Sequence, residues 1–120
     1  MVLKKKFEEN EIIDIAKNCA KVLAGKKAED ILLMDLREIN SYLDYFIICT
    51  GNSHIHCTAL AKEIQKYFKE INFKGLANPR LDTGWIALDY NEIVVHIFTG
   101  ELRDYYQLER LWGDADFIAY

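Results

Sequence analysis

Gly84-Trp85-Ile86-Ala87-Leu88-Asp89-Tyr90, then Asn91-Glu92, then Ile93-Val94-Val95-His96-Ile97-Phe98, is the stretch that decides the fold. Side chains on an extended strand point alternately to opposite faces. Trp85, Ala87 and Asp89 therefore share one face, and Ile86, Leu88 and Tyr90 share the other. The second run is apolar on both faces, as befits a strand covered on both sides. Two residues separate the runs, which is the length of a tight antiparallel hairpin. Asn91 suits the positive φ such a turn needs, and Glu92 suits it less.

Outward from the hairpin the chain alternates between helical and extended signals. Upstream, Gly75 to Thr83 holds the single proline, Pro79, and reads as a short edge strand or a loop. Before it, Cys57, Leu60, Ala61, Ile64, Phe68 and Ile71 recur at helical spacing, with Ser53 or Asn52 placed to cap the start. Lys62, Glu63, Lys66 and Lys69 fall on the watery side of that helix. Two short apolar runs, Ile31 to Leu36 and Tyr45 to Thr50, read as strands divided by the polar stretch Arg37 to Asp44. An amphipathic helix from Phe7 to Ala24 precedes them, with Gly25 as its expected left-handed cap. Downstream, one helix is expected from Glu101 to Trp112, with Gly113 just beyond its end. The predicted class is α/β of the α+β kind, a single domain in which a mixed β-sheet is flanked by helices.

At 120 residues, 51% of them apolar and 28% charged, the chain is long enough for one hydrophobic core and too short for two domains. Folding should hide roughly two-thirds of the unfolded surface, so neither disulfides nor metals are required. The formal charge is −4. Residues 1–75 carry 12 Lys/Arg and 11 Asp/Glu, whereas residues 76–120 carry 3 Arg and 8 Asp/Glu, so the last third holds a net −5. Such a surface repels phosphate backbones and attracts a basic partner. Cys19, Cys49 and Cys57 form no CxxC pair, which fits small core residues in a reducing compartment. Met1 to Lys6 leads into helix-like sequence without an apolar signal region, and no run approaches membrane-spanning length. A cytoplasmic location, away from membranes, is the expectation.

Catalytic chemistry is hard to find. His54 and His56 would point about 200° apart on a helix, unlike an i, i+4 metal pair. His56 and Cys57, as neighbours on a helix, diverge too far to act as base and thiol. His96, between Val95 and Ile97, reads as a hydrogen-bonded sheet histidine. Gly51-Asn52-Ser53, between a strand and a helix, has the form of an anion-binding turn. It is similar to the turn of the nucleotidyltransferase superfamily. Those enzymes also need alternating carboxylates on a strand to hold Mg²⁺. Downstream, Glu63 stands alone on a helix and Asp82 and Asp89 lie seven apart, so no such pair exists. Neither cofactor nor metal is expected. Trp85, Tyr90, Tyr105, Tyr106 and Trp112, with Asp82, Asp89, Glu101 and Asp104 near them in sequence, mix aromatic anchors with acid. They fit either an interface or a core filled by tryptophan, and both remain open.

These blocks also carry a resemblance. Lys27-Ala28-Glu29-Asp30-Ile31, Asp44-Tyr45-Phe46-Ile47-Ile48 with Thr50-Gly51-Asn52-Ser53, and Trp85 with Leu88-Asp89-Tyr90 occur in order. Ile93 to Phe98, then Tyr106 with Leu108-Glu109-Arg110-Leu111-Trp112-Gly113-Asp114-Ala115, complete the set. Together they resemble the ribosomal silencing factor, or Iojap-related, family. The resemblance covers residues 25–115, with 1–24 as a variable N-terminal helix and 116–120 as a tail.

It implies a nucleotidyltransferase-like fold without catalytic carboxylates, and therefore a binding protein and no enzyme. It further implies docking on the large ribosomal subunit through that subunit's fourteenth protein, a basic component at the subunit-joining face. The docked body would block the small subunit and so repress translation. A part in large-subunit maturation and pairing into homodimers are implied as well, whereas sequence-specific nucleic-acid binding is not. The residues it points to for the partner are Trp85, Asp89, Tyr90, Tyr106 and Leu108, with Glu109 and Trp112 fixing the last helix to the sheet. The chain departs from the family pattern at Ile55 and His56, and at Asn91, where glycine is usual. The alternative is a nucleotide-binding or nucleotidyltransferase-like enzyme using the Gly51–Ser53 turn.

Overall fold

In a computed structural model, which describes residues 7–76 and 78–120, the first helix spans Glu9–Gly25 (α1). The reading of Met1 to Lys6 lies outside the described residues. The Glu11 side chain accepts from the Glu8 backbone N–H at 3.0 Å, satisfying one of the free donors at the helix start. The C-terminal end corrects the expectation for Gly25. That residue stays helical, and the left-handed position is Lys27, with φ 67°. Lys27 N–H donates to Ala24 O and Ala28 N–H to Leu23 O, each at 3.0 Å. This crossed pair needs its left-handed residue two places beyond the glycine.

Strands follow at Glu29–Asp35 (β1) and Tyr45–Gly51 (β2), then a helix at His54–Glu70 (α2). Ser53 is the helix cap, its hydroxyl accepting from His56 N–H at 3.0 Å. Gly51 ends β2 where α2 crosses closely: a Cβ there would sit 2.6 Å from Cys57 Sγ. The described part of Gly75 to Thr83 is loop, tied to the sheet by Leu76 N–H on Asp89 O at 2.9 Å. The hairpin comprises Trp85–Asp89 (β3) and Ile93–Thr99 (β4), and Asn91 takes φ 69°.

The expected single helix from Glu101 to Trp112 is instead two: Gly100–Tyr106 (α3) and Leu108–Leu111 (α4). Gln107 between them is left-handed, φ 46° and ψ 51°. The break redirects the chain so that Leu108 reaches the sheet, 8% exposed, against Phe46, Phe98 and Trp112. Within the segment 116–120, Asp116–Phe117 (β5) pairs antiparallel with β1. Two residues of strand carry too little pattern to be read in advance.

The sheet order is β3-β4-β2-β1-β5. β2 and β4 run parallel, with α2 as the crossover, and the other pairs are antiparallel. Every residue of β2 is buried because both of its faces are covered. Tyr45, Ile47, Cys49, Ile86, Leu88, Val95 and Ile97 face α1 and α2. Met34, Phe46, Ile48 and Phe98 face the other way, toward Leu102, Leu108 and Trp112. The α+β class, a mixed sheet with flanking helices, is thus as expected, and β5 makes the sheet five-stranded.

Candidate partner-binding face

The second face of the sheet is only partly roofed. α3 and α4 cover Phe98 and Phe46 but leave Ala87 and Asp89 exposed and Trp85 and Val94 half-buried. Trp85 stacks on its cross-strand partner Phe98 with centroids 4.9 Å apart, and Tyr106 lies against it at 4.8 Å. Tyr106 is 46% exposed, and Tyr105 and Leu111 nearby in the chain are 77% and 73% exposed. Glu101 and Asp104 on α3 are exposed as well. The result is an aromatic edge in acidic sequence on an uncovered part of the sheet.

The five residues singled out above do not all meet here. Trp85 and Asp89 share the face, and Tyr106 joins Trp85. Asp89 is exposed while its carboxylate accepts from Asn91 N–H at 2.9 Å, bracing the hairpin turn. Leu108 lies beneath the surface. Tyr90 is on the opposite side, against Phe68 at 4.3 Å and stacked on Phe73 at 5.8 Å. Burial there pushes its phenol up from the ordinary value. Strand alternation already puts Tyr90 out of phase with Trp85, so the hairpin cannot present both to one flat surface.

Two buried polar residues set this geometry. His96 Nδ1 accepts from Trp85 Nε1–H at 3.1 Å, and burial pushes the imidazole pKa down to about 4. Arg103, 7% exposed, donates to Asp30 O and Thr50 Oγ1, each at 2.9 Å, and to Glu109 at 3.2 Å. It ties α3, α4 and both strand ends together across the left-handed Gln107. The histidine was readable as hydrogen-bonded, although its partner was not. Nothing in sequence marked Arg103, since a lone arginine on a short helix reads as solvated.

At the Gly51–Ser53 turn the Asn52 and His56 amides are already in use. Asn52 N–H donates to His56 Nδ1 at 2.9 Å, the ring's Nε2 meets Lys26 O at 2.9 Å, and Ser53 Oγ takes His56 N–H. In an anion site those amides would face the ligand. Here His56 fills the turn and joins it to the end of α1. Among the described residues no three His, Cys, Asp or Glu side chains could hold a metal. Cys19, Cys49 and Cys57 are buried free thiols, and burial pushes Cys49 up to about 12, far from thiolate reactivity. No described helix is long and apolar enough to cross a membrane.

Residues 9–119 match the family described as "Ribosomal silencing factor during starvation". The chain is 40% identical over 102 residues to the protein named Ribosomal silencing factor RsfS of Bacillus subtilis (strain 168), covering 84% of this chain and 86% of that one. It is 27% identical over 95 residues to mouse (Mus musculus) "Mitochondrial assembly of ribosomal large subunit protein 1", covering 76% of this chain and 42% of that longer protein. A crystal structure of a Chromobacterium violaceum protein superposes with a TM-score of 0.80 at 31% identity, covering 86% of this chain and 87% of the other.

Proposed function

The chain belongs to the ribosomal silencing factor family, and from that premise we propose that it represses translation by docking on the large ribosomal subunit. The contact is the subunit's fourteenth protein, and the bound body excludes the small subunit. The observation that carries this reading is the Trp85–Tyr106 edge, left exposed on a sheet face that α3 and α4 could have covered. Large aromatic side chains at a partly open edge are the usual anchors of protein interfaces. The surrounding chain is acidic, with a net −5 over residues 76–120, and complements a basic ribosomal surface.

Trp85 is the anchor, with Asp89 at the far end of the same strand face and Tyr106 beside the indole. Leu108 acts from below by supporting α4. Tyr90 supports the hairpin from the helix side and meets a partner only at the hairpin tip. A part in large-subunit maturation is consistent with the name of the mouse relative. Pairing with a second copy through the same aromatic edge would compete with the ribosome. The mechanism is occupancy and turns over no substrate.

The test is binding of the purified protein to isolated large subunits and to the isolated fourteenth protein. Saturable binding to both, weakened by Trp85→Ala, is expected. Binding to the subunit without binding to that protein would move the docking site elsewhere.

A further inference from the structure

His96 occupies an uneconomical position. It is 7% exposed in the middle of β4, and its Nδ1 accepts the indole Nε1–H of Trp85. The lone pair is therefore on Nδ1 and the proton on Nε2. That Nε2 is buried and has no hydrogen-bond partner among the described residues. A buried donor left unpaired is costly, and an apolar side chain of similar volume would avoid it. What the imidazole contributes in exchange is the bond to Trp85. Its other ring contacts, Phe46 edge-on at 4.6 Å and Phe98 at 6.4 Å, are ones a leucine or phenylalanine could replace with apolar packing.

The indole is held from three directions: by His96 at Nε1, by Phe98 stacked at 4.9 Å, and by Tyr106 at 4.8 Å. Phe98 and Tyr106 constrain the ring plane, and the hydrogen bond adds a directional contact that the flipped indole would lose. The same bond removes the one polar group Trp85 could offer to a partner.

We propose that His96 is a positioning residue of the docking face: its Nδ1 fixes the orientation of Trp85 and takes up the indole N–H. Trp85 then meets its partner as an apolar ring alone. The partner group over it is aliphatic or cationic and supplies no hydrogen-bond acceptor. The partner's identity rests on the ribosomal reading above, whereas the positioning of Trp85 does not.

The experiment compares His96→Leu, which removes the acceptor, with His96→Asn, whose carbonyl restores one. Large-subunit binding, melting temperature and the Trp85 indole N–H resonance are measured for each, the resonance being assigned by its survival in Trp112→Phe. His96→Leu should keep its melting temperature, weaken binding about tenfold, and leave the Trp85 N–H shifted and exchanging faster with water. His96→Asn should recover most of both. Should His96→Leu fold poorly, the Trp85→Phe background supplies the second arm: with no indole N–H to be accepted, His96→Leu should there cost neither melting temperature nor further binding, and an equal loss in both backgrounds overturns the proposal. An unchanged Trp85 resonance in His96→Leu, or undiminished binding, overturns the proposal. If the wild-type protein itself fails to bind large subunits, the docking reading falls and the indole resonance alone decides the role of His96.

Discussion

Glu109 accepts from the guanidinium of Arg103 at 3.2 Å across the left-handed turn at Gln107, so one ion pair, its arginine buried and its glutamate half-buried, holds the two halves of a broken helix together. The arginine's Nη1 donates to Asp30 O and Thr50 Oγ1. A charge so enclosed is stabilising only with its partners in place, and removing one partner exposes the cost of burying the other. Arg103→Ala takes the cation from a half-buried carboxylate and the donor from two further acceptors, and should lower the unfolding free energy by about 1.5–3 kcal/mol. Glu109→Gln keeps a hydrogen-bond acceptor and should cost less. Urea denaturation of the three proteins checks the order, and equal stability of Arg103→Ala and wild type would contradict it.

Acid should act through His96. Its folded pKa is about 4 against the ordinary 6.5, so the folded state holds fewer protons than the unfolded state between these values. The neutral ring's contribution is complete above the unfolded pKa and is lost as pH falls toward the folded one. The displacement corresponds to roughly 3 kcal/mol. A stability–pH curve for His96→Leu should therefore be flatter than wild type between about pH 6.5 and about pH 4. Parallel curves would show that His96 does not titrate this way.

The end of α1 offers a paired test. Gly25 is helical and a Cβ there meets nothing within 4 Å, so Gly25→Ala should stabilise by about 0.5–1 kcal/mol. Lys27 carries the left-handed φ of 67°, so Lys27→Gly should relieve about 1 kcal/mol of strain. Thermal melts of the two single variants check both signs, and a loss at either site would contradict this account of the helix end.

That helix end also shows how far the sequence could be read. Alternation in Trp85 to Phe98 and helical spacing from Cys57 to Phe68 were strong because each buries a continuous apolar face. The choice between Gly25 and Lys27 was not legible, since it depends on which amide reaches Leu23 O. The break at Gln107 was hidden for a similar reason. Leu108 fits the period of one long helix, and the bend is favoured by contacts distant in sequence: Leu108 on Phe46 and Phe98, and Arg103 on Asp30 and Thr50, 73 and 53 residues away. At the candidate face, alternation alone separated Trp85 from Tyr90. The bond from Trp85 to His96 joins residues eleven apart, and hairpin register had to be known before it could be seen.

Gly51 is where β2 and α2 touch. A methyl group there would lie 2.6 Å from Cys57 Sγ and 3.1 Å from its backbone nitrogen. Gly51→Ala should therefore cost about 1–3 kcal/mol through overpacking. Chemical denaturation checks this, and an unchanged midpoint would mean that α2 can shift outward freely.

The proposed exclusion of the small subunit by a body anchored at Trp85 is tested by a sucrose gradient of purified subunits. The protein is added to large subunits before small ones, with Trp85→Ala in parallel. Wild type should travel with the large subunit and shrink the joined-ribosome peak, and Trp85→Ala, losing about 2 kcal/mol or more of anchor energy, should do neither at the same concentration. A wild-type protein that travels with the large subunit while the joined peak stays full would contradict exclusion as the mechanism.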